Sequence, residues 1–164
     1  MGPLDPEYTF PVRVLGVDYG AKRIGLALSD ATGSLARPWQ MVPSPGDPRS
    51  AAKAVAGVVT TLRQSDDPDL DRIVVGLPRR LNGDDTDQTP LVRRFVTMLA
   101  ELTGLPVDTQ DERLTSVEAE SRLAAREGDW RKRKKLVDAE AASIFLQDYL
   151  DAHARAGAAR RGDE

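Results

Sequence analysis

The chain has 164 residues, with 23 basic and 26 acidic side chains for a net charge of −3, a single histidine and no cysteine. That length allows one domain with a substantial core. The missing cysteines exclude disulfides, thiol nucleophiles and zinc–thiolate sites, and the lone His153, with no histidine or cysteine beside it, argues against a Ser-His-Asp triad or a histidine-built zinc site. Whatever chemistry the chain performs must come from carboxylates, lysines, the backbone or a bound ion.

Residues 1–11, beginning "MGPLDPEYTF", lack the basic flank and apolar stretch of a secretory signal and are expected to be a flexible N-terminus. Residues 12–18 and 24–29 read as two strands joined by the turn "YGAKR". "ARPWQMV", 36–42, reads as a short edge strand, where Pro38 is tolerable. Asp47 followed by Pro48 is a helix start, and the apolar spacing of Ala51, Ala52, Val55, Val58, Val59 and Leu62 carries the helix onward. "RIVVGLP", 72–78, is a continuous apolar run of the kind buried on both faces of a parallel sheet.

After the polar segment 79–89, Thr89 and Pro90 open a helix that runs to Gly104, with Leu91, Phe95, Met98, Leu99 and Leu102 expected on its inner side. "LPVDTQDE", 105–112, reads as a strand, and "TSVE", 115–118, as a capping box opening a helix that ends near Gly128. A final helix is expected at about 134–152, followed by a disordered tail over 153–164. The expected domain is therefore 12–152. This order suits an α/β protein of the ribonuclease-H-like kind: a mixed five-stranded sheet, antiparallel meander plus parallel strands, flanked by helices.

Three acids stand where acids are costly. Asp18 ends the first core strand, and Glu112 ends the strand 105–112, at the sheet edge where α/β proteins hold their sites. Asp138 shares a helical face with Ala141, Ala142, Phe145 and Tyr149, so it points with the apolar stripe, while Glu140, Gln147 and Asp148 are expected to be solvated. A shared cation would relieve all three placements. Magnesium takes oxygen ligands, and a pair of such ions could activate water and stabilise the leaving group of an in-line displacement. Asp111 and the loop acids Asp84, Asp85 and Asp87 stay open as further ligands.

The stretches "RVLGVDYGAKRIGLALSD", "VVGLPRRLNG", "PVDTQDERLTSVEA" and "KKLVDAEAASIFLQDYL" resemble the YqgF/RuvX family, in order, across about residues 12–150. The resemblance implies a ribonuclease-H-like fold and a nuclease that processes the 5′ end of pre-16S ribosomal RNA or resolves Holliday junctions. It also implies that Asp18, Glu112 and Asp138 form the catalytic, metal-binding set, served by Mg2+ or Mn2+.

Such a site acts on phosphodiesters, so cations near the acids are candidates for holding a nucleic-acid backbone, whether structured RNA or branched or single-stranded DNA. They are Lys22 and Arg23 after Asp18, Arg79 after the fourth strand, Arg113 beside Glu112, and Arg131, Lys132, Arg133, Lys134 and Lys135 just before Asp138. Trp130 adds a ring on which a base could stack. The backbone amides of "GLPRRLNG" offer a further anion site. A symmetric four-way junction would favour a homodimer. No apolar run approaches the ~18 residues of a membrane span, and a cytoplasmic location is expected. The competing readings are a non-catalytic RNA-binding ribosome assembly factor and a nucleotide-binding protein of the actin and sugar-kinase type.

Overall fold

The computed structural model describes residues 13–65, 69–112, 121, 124, 125 and 130–162, with side chains left aside at 130–136 and 155–162. Five strands form one sheet in the order β3-β2-β1-β4-β5. They are β1 (Arg13–Tyr19), β2 (Arg23–Ser29), β3 (Ala36–Pro43), β4 (Leu70–Leu77) and β5 (Val107–Asp111). β1–β2 and β2–β3 pair antiparallel, while β1–β4 and β4–β5 pair parallel. This is the expected mixed sheet. β3 lies at an edge, so the missing N–H of Pro38 does not interrupt a central ladder. The β2–β3 register slips between Leu26 and Ala27, which accommodates Trp39 as an extra residue.

Alternation along the strands builds two cores. Leu15, Val17, Ile24, Leu26, Ile73 and Val75 face α1 (Pro48–Arg63) and α2 (Thr89–Thr103). On the opposite face Val14, Ala27 and Val74 meet Ala142, Phe145, Leu146 and Leu150 of α3 (Trp130–Gly162). Each fully buried valine, leucine, isoleucine or phenylalanine among them contributes about 1.5–3 kcal/mol. Asp47 caps α1 as its sequence suggests, its carboxylate accepting the Ser50 amide at 2.8 Å.

The structure departs from the expected elements in several places. The buried stripe of α2 is Thr89, Val92, Phe95 and Leu99, and Leu102, on the same face but in the last turn, is half exposed. Thr89 is an interior anchor, with Gln88 the cap residue. The Thr89 hydroxyl donates to the Pro78 carbonyl at 2.6 Å. α3 starts earlier and ends later than 134–152, continuing through residues 153–162 of the stretch expected to be a tail. There His153 is buried, its ring 4.0 Å from that of Tyr149. Residues 1–11 and the capping box at 115–118 lie outside the described residues, although Ser121, Ala124 and Ala125 are helical.

Candidate acidic active site

Strand alternation decides where Asp18 points. Its neighbours Val17 and Tyr19 belong to the core under α1 and α2, so Asp18 faces α3. Tyr19 fixes that choice. Its ring stacks on Phe95 with centroids 4.8 Å apart, and its hydroxyl donates to the Gly46 carbonyl at 2.7 Å.

Opposite Asp18 in the β1–β2 ladder stands Gly25. A β-carbon at Gly25 would overlap the carbonyl of Asp138 and the nitrogen of Ala139, so α3 lies directly on the strand at this point. Gly16 allows a second close approach, with Leu146 Cβ and the Ala142 carbonyl 3.1 and 3.2 Å from where its β-carbon would be. Asp138 is thereby delivered beside Asp18.

Glu112 follows β5, and its amide donates to the Leu77 carbonyl at 3.3 Å, continuing the β4–β5 pairing by one residue. Its carboxylate occupies the space above Gly76, where an added β-carbon would stand 2.5 Å from Oε2. The structure thus gathers the three sequence-expected acids from β1, the end of β5 and α3.

The electrostatics report that proximity. Asp18 retains some exposure, yet loss of hydration is the main cause that pushes its carboxyl well above the ordinary range, followed by the charges of Glu112 and Asp138. Burial likewise raises Glu112 to about 7, with a hydrogen bond from Asp18 pulling the other way and Asp111 and Asp138 adding repulsion. Asp18 and Glu112 therefore hold a proton between them. Asp138 is met by Arg23, whose Nε lies 3.4 Å from Oδ2. One proton and one guanidinium offset two of the three negative charges. Among the described residues no three acidic side chains already close into a metal cage. The donor set nevertheless fits a hard divalent cation, since it consists of carboxylate oxygens that are short of hydration and hold a displaceable proton.

The cation candidates divide. Lys22 is exposed on the β1–β2 turn. Arg23 is engaged with Asp138. Arg79 braces a hairpin, donating to the Gly83 carbonyl at 3.0 Å and standing 3.7 Å from Asp85, so its guanidinium is turned inward on the protein. Asp85 also pairs with Arg93 at 2.8 Å, so this loop acid is engaged by two arginines. The amides of "GLPRRLNG" are used internally: Arg80 and Gly83 donate to Asp84 and Arg80 carbonyls, both at 2.8 Å. These two amides are therefore not offered to an anion. Arg113 lies outside the described residues. Trp130 and Arg131, Lys132, Arg133, Lys134 and Lys135 occupy the turns of α3 that precede Asp138, about 4–12 Å along the helix axis from it.

Sequence reasoning missed Gly25 and Gly76. Their signal was available: a glycine inside a buried strand marks a close approach. It also left Glu140 and Gln147 to solvent. Glu140 is buried, and Gln147 accepts the Ala36 amide at 2.8 Å and donates to the Ser34 carbonyl at 2.9 Å. Among the described residues no helix is long and apolar enough to cross a membrane.

Comparison with known proteins gives a consistent result. The profile of the RuvX family, described as Holliday junction resolvase, matches residues 12–152. A proposed pre-16S rRNA nuclease of Chloroflexus aggregans is 40% identical over 139 residues, covering 85% of this chain and 93% of that protein. Its counterpart in Anaeromyxobacter dehalogenans strain 2CP-1 is 41% identical over 143 residues, covering 87% and 99%. Thermus thermophilus RuvC, solved with a Holliday junction substrate, superposes with a TM-score of 0.52 at 18% identity over 90% of this chain and 97% of that one, which shows a shared fold.

Proposed function

The chain belongs to the RuvX family of Holliday junction resolvases, and from that membership we propose that it is a divalent-metal-dependent nuclease that hydrolyses phosphodiester bonds in structured nucleic acid. The observation that carries this reading is the convergence of Asp18, Glu112 and Asp138 at one end of the sheet. The substrates proposed are the 5′ end of pre-16S ribosomal RNA, by analogy with the names of the relatives, and branched DNA, by analogy with the family. A cytoplasmic site of action accords with the RNA substrate, and symmetric cutting of a four-way junction would call for two copies of the chain.

Mg2+ or Mn2+ held by Asp18, Asp138 and Glu112 would supply an activated water and neutralise charge on the phosphate. The residues supply the rest. Asp18 and Glu112 would have to give up a proton to hold an ion, so metal uptake would grow stronger as pH rises. Glu112, poised at about 7, is suited to hold or release a proton at its carboxylate beside the scissile group. Arg23, which lies beside Asp138, would hold the phosphate, its guanidinium fork matching two phosphate oxygens. Lys22 adds a second cation on the same turn.

The test is cleavage of a labelled pre-16S RNA fragment and a four-way DNA junction, each with magnesium, manganese or chelator. Wild type is expected to cut only with an ion, and Asp18→Asn to lose cleavage while keeping its circular dichroism spectrum. Undiminished turnover by a pure, folded Asp18→Asn protein overturns the assignment. RNA binding by wild type with no cleavage under any ion would instead establish the assembly-factor role.

A further inference from the structure

The outer strand of the sheet is exposed in a way that packing does not explain. A strand lying on a core alternates between buried and exposed side chains, yet Arg37, Pro38, Trp39 and Gln40 of β3 are exposed in succession. Ala36 and Val42, near the two ends of the strand, are the β3 residues that pack against the cores. Trp39 is the residue left over where the β2–β3 register slips, and bulges of this kind re-aim side chains beside active sites. It joins neither core and is 39 % exposed.

The register places this patch relative to the acids. Asp18 stands opposite Gly25, and Gly25 opposite Met41, so one row runs across the sheet from the acid to β3. Trp39 lies two residues along β3 from that row, about 12 Å from Asp18 by strand spacing and rise. Cations stand on both sides of it. Arg37 precedes it on β3; at the other end of the strand Pro43 pairs with Arg23, and the Ser44 amide holds the Lys22 carbonyl at 3.0 Å. Among the described residues neither Arg37 nor Lys22 forms an ion pair.

The edge is closed to another strand, because Pro38 and Pro43 offer no N–H and the bulge breaks the ladder that a second chain would extend. A single-stranded polyanion needs no ladder. It needs a ring face for a base and cations for the phosphates on either side, and Lys22, Trp39 and Arg37 present these in order.

We propose that the β3 edge is a stacking platform for an unpaired stretch of the substrate, with a base lying on the Trp39 ring and its flanking phosphates on Arg37 and Lys22. The inference rests on the nuclease reading and deepens it: the strand being cut continues away from Asp18 along β3 as a single strand, so a substrate with an unpaired extension is held better than a blunt one. Stacking uses a base face that RNA and DNA share.

The experiment measures binding of full-length protein, in chelator, to three fluorescent hairpins: blunt, with a 5′ extension and with a 3′ extension, each made in RNA and in DNA. Cleavage with magnesium or manganese is followed in parallel. Wild type is expected to bind an extended form more tightly than the blunt one, in RNA, DNA or both. Trp39→Ala is expected to bind that form about 5- to 100-fold more weakly, the worth of one stacked base. Blunt hairpins should be bound as by wild type, and Trp39→Phe should regain most of the lost affinity. Arg37→Gln, which leaves the ring in place, decides the matter if Trp39→Ala melts early: it should weaken the same extended form and lower its salt slope by about one. Equal losses on blunt and extended hairpins, no loss on either, or a wild type that binds all three alike overturns the platform. A wild type that shows the Trp39-dependent preference but cuts nothing with either ion overturns the nuclease reading and leaves the platform standing as a binding surface. One that binds none of the hairpins overturns both.

Discussion

Asp18 and Glu112 bind protons more tightly in the folded chain than they would when unfolded, because the fold strips their water and sets them against each other and Asp138. A carboxyl whose folded value is raised stabilises the fold fully below its unfolded value, and that contribution is lost as pH rises through the folded value. For Glu112 the window runs from 4.5 to about 7. Metal-free protein should therefore lose on the order of 3 kcal/mol of stability across it. Urea midpoints measured as a function of pH check this. Glu112→Gln should flatten the profile and leave the protein more stable than wild type above neutrality, and saturating magnesium should do the same for wild type. A wild-type profile that rises with pH over this window would contradict the shared proton.

At the scale of elements, the site depends on how closely α3 lies on the sheet. Gly25→Ala puts a methyl group into the backbone of Asp138 and Ala139, which cannot rotate away. It should cost about 2–3 kcal/mol or more and move Asp138 off the other acids. Gly76→Ala meets the ends of two side chains, Glu112 and Phe145. It should cost less stability while still displacing the Glu112 carboxylate. Chemical denaturation alongside manganese titration separates the two: Gly25→Ala loses both properties, Gly76→Ala mainly ion binding. Much of this architecture could be read from the chain alone. Alternation in "VLGVDY" set Asp18 apart from its neighbours, and helical spacing put Asp138 with Ala142 and Phe145. Hidden from it were pairings set by tertiary proximity. Arg23 meets Asp138 across 115 residues of sequence, and Gln147 reaches Ala36 across 111. Leu102 shares the phase of Phe95 and Leu99 but falls in the last turn of α2, where it is half exposed, a position that helical spacing alone does not reveal.

At the scale of the molecule, α3 is pinned at two points along the sheet. Near the acids it is held by Gly25 and the Arg23–Asp138 pair; near the starts of β4 and β5, Tyr149 donates to the Asp108 carboxylate, which also receives Arg72 at 2.7 Å. Tyr149→Phe removes one hydrogen bond but keeps the ring against His153, so it should cost about 1 kcal/mol. Cleavage rates at saturating metal should not change, since the bond lies at the far end of the sheet from the site. A large loss of cleavage in a protein that still melts within a few degrees of wild type would mean that the far end of α3 sets the position of Asp138.

The three carboxylates also arrive in a fixed order during synthesis, and the helix carrying Asp138 emerges after the whole sheet. A chain still attached to the ribosome with α3 inside the exit tunnel has two of the acids and no complete site. Were ribosomal RNA the substrate, as proposed above, the nascent chain would complete its acidic set only after α3 has emerged and docked on the sheet.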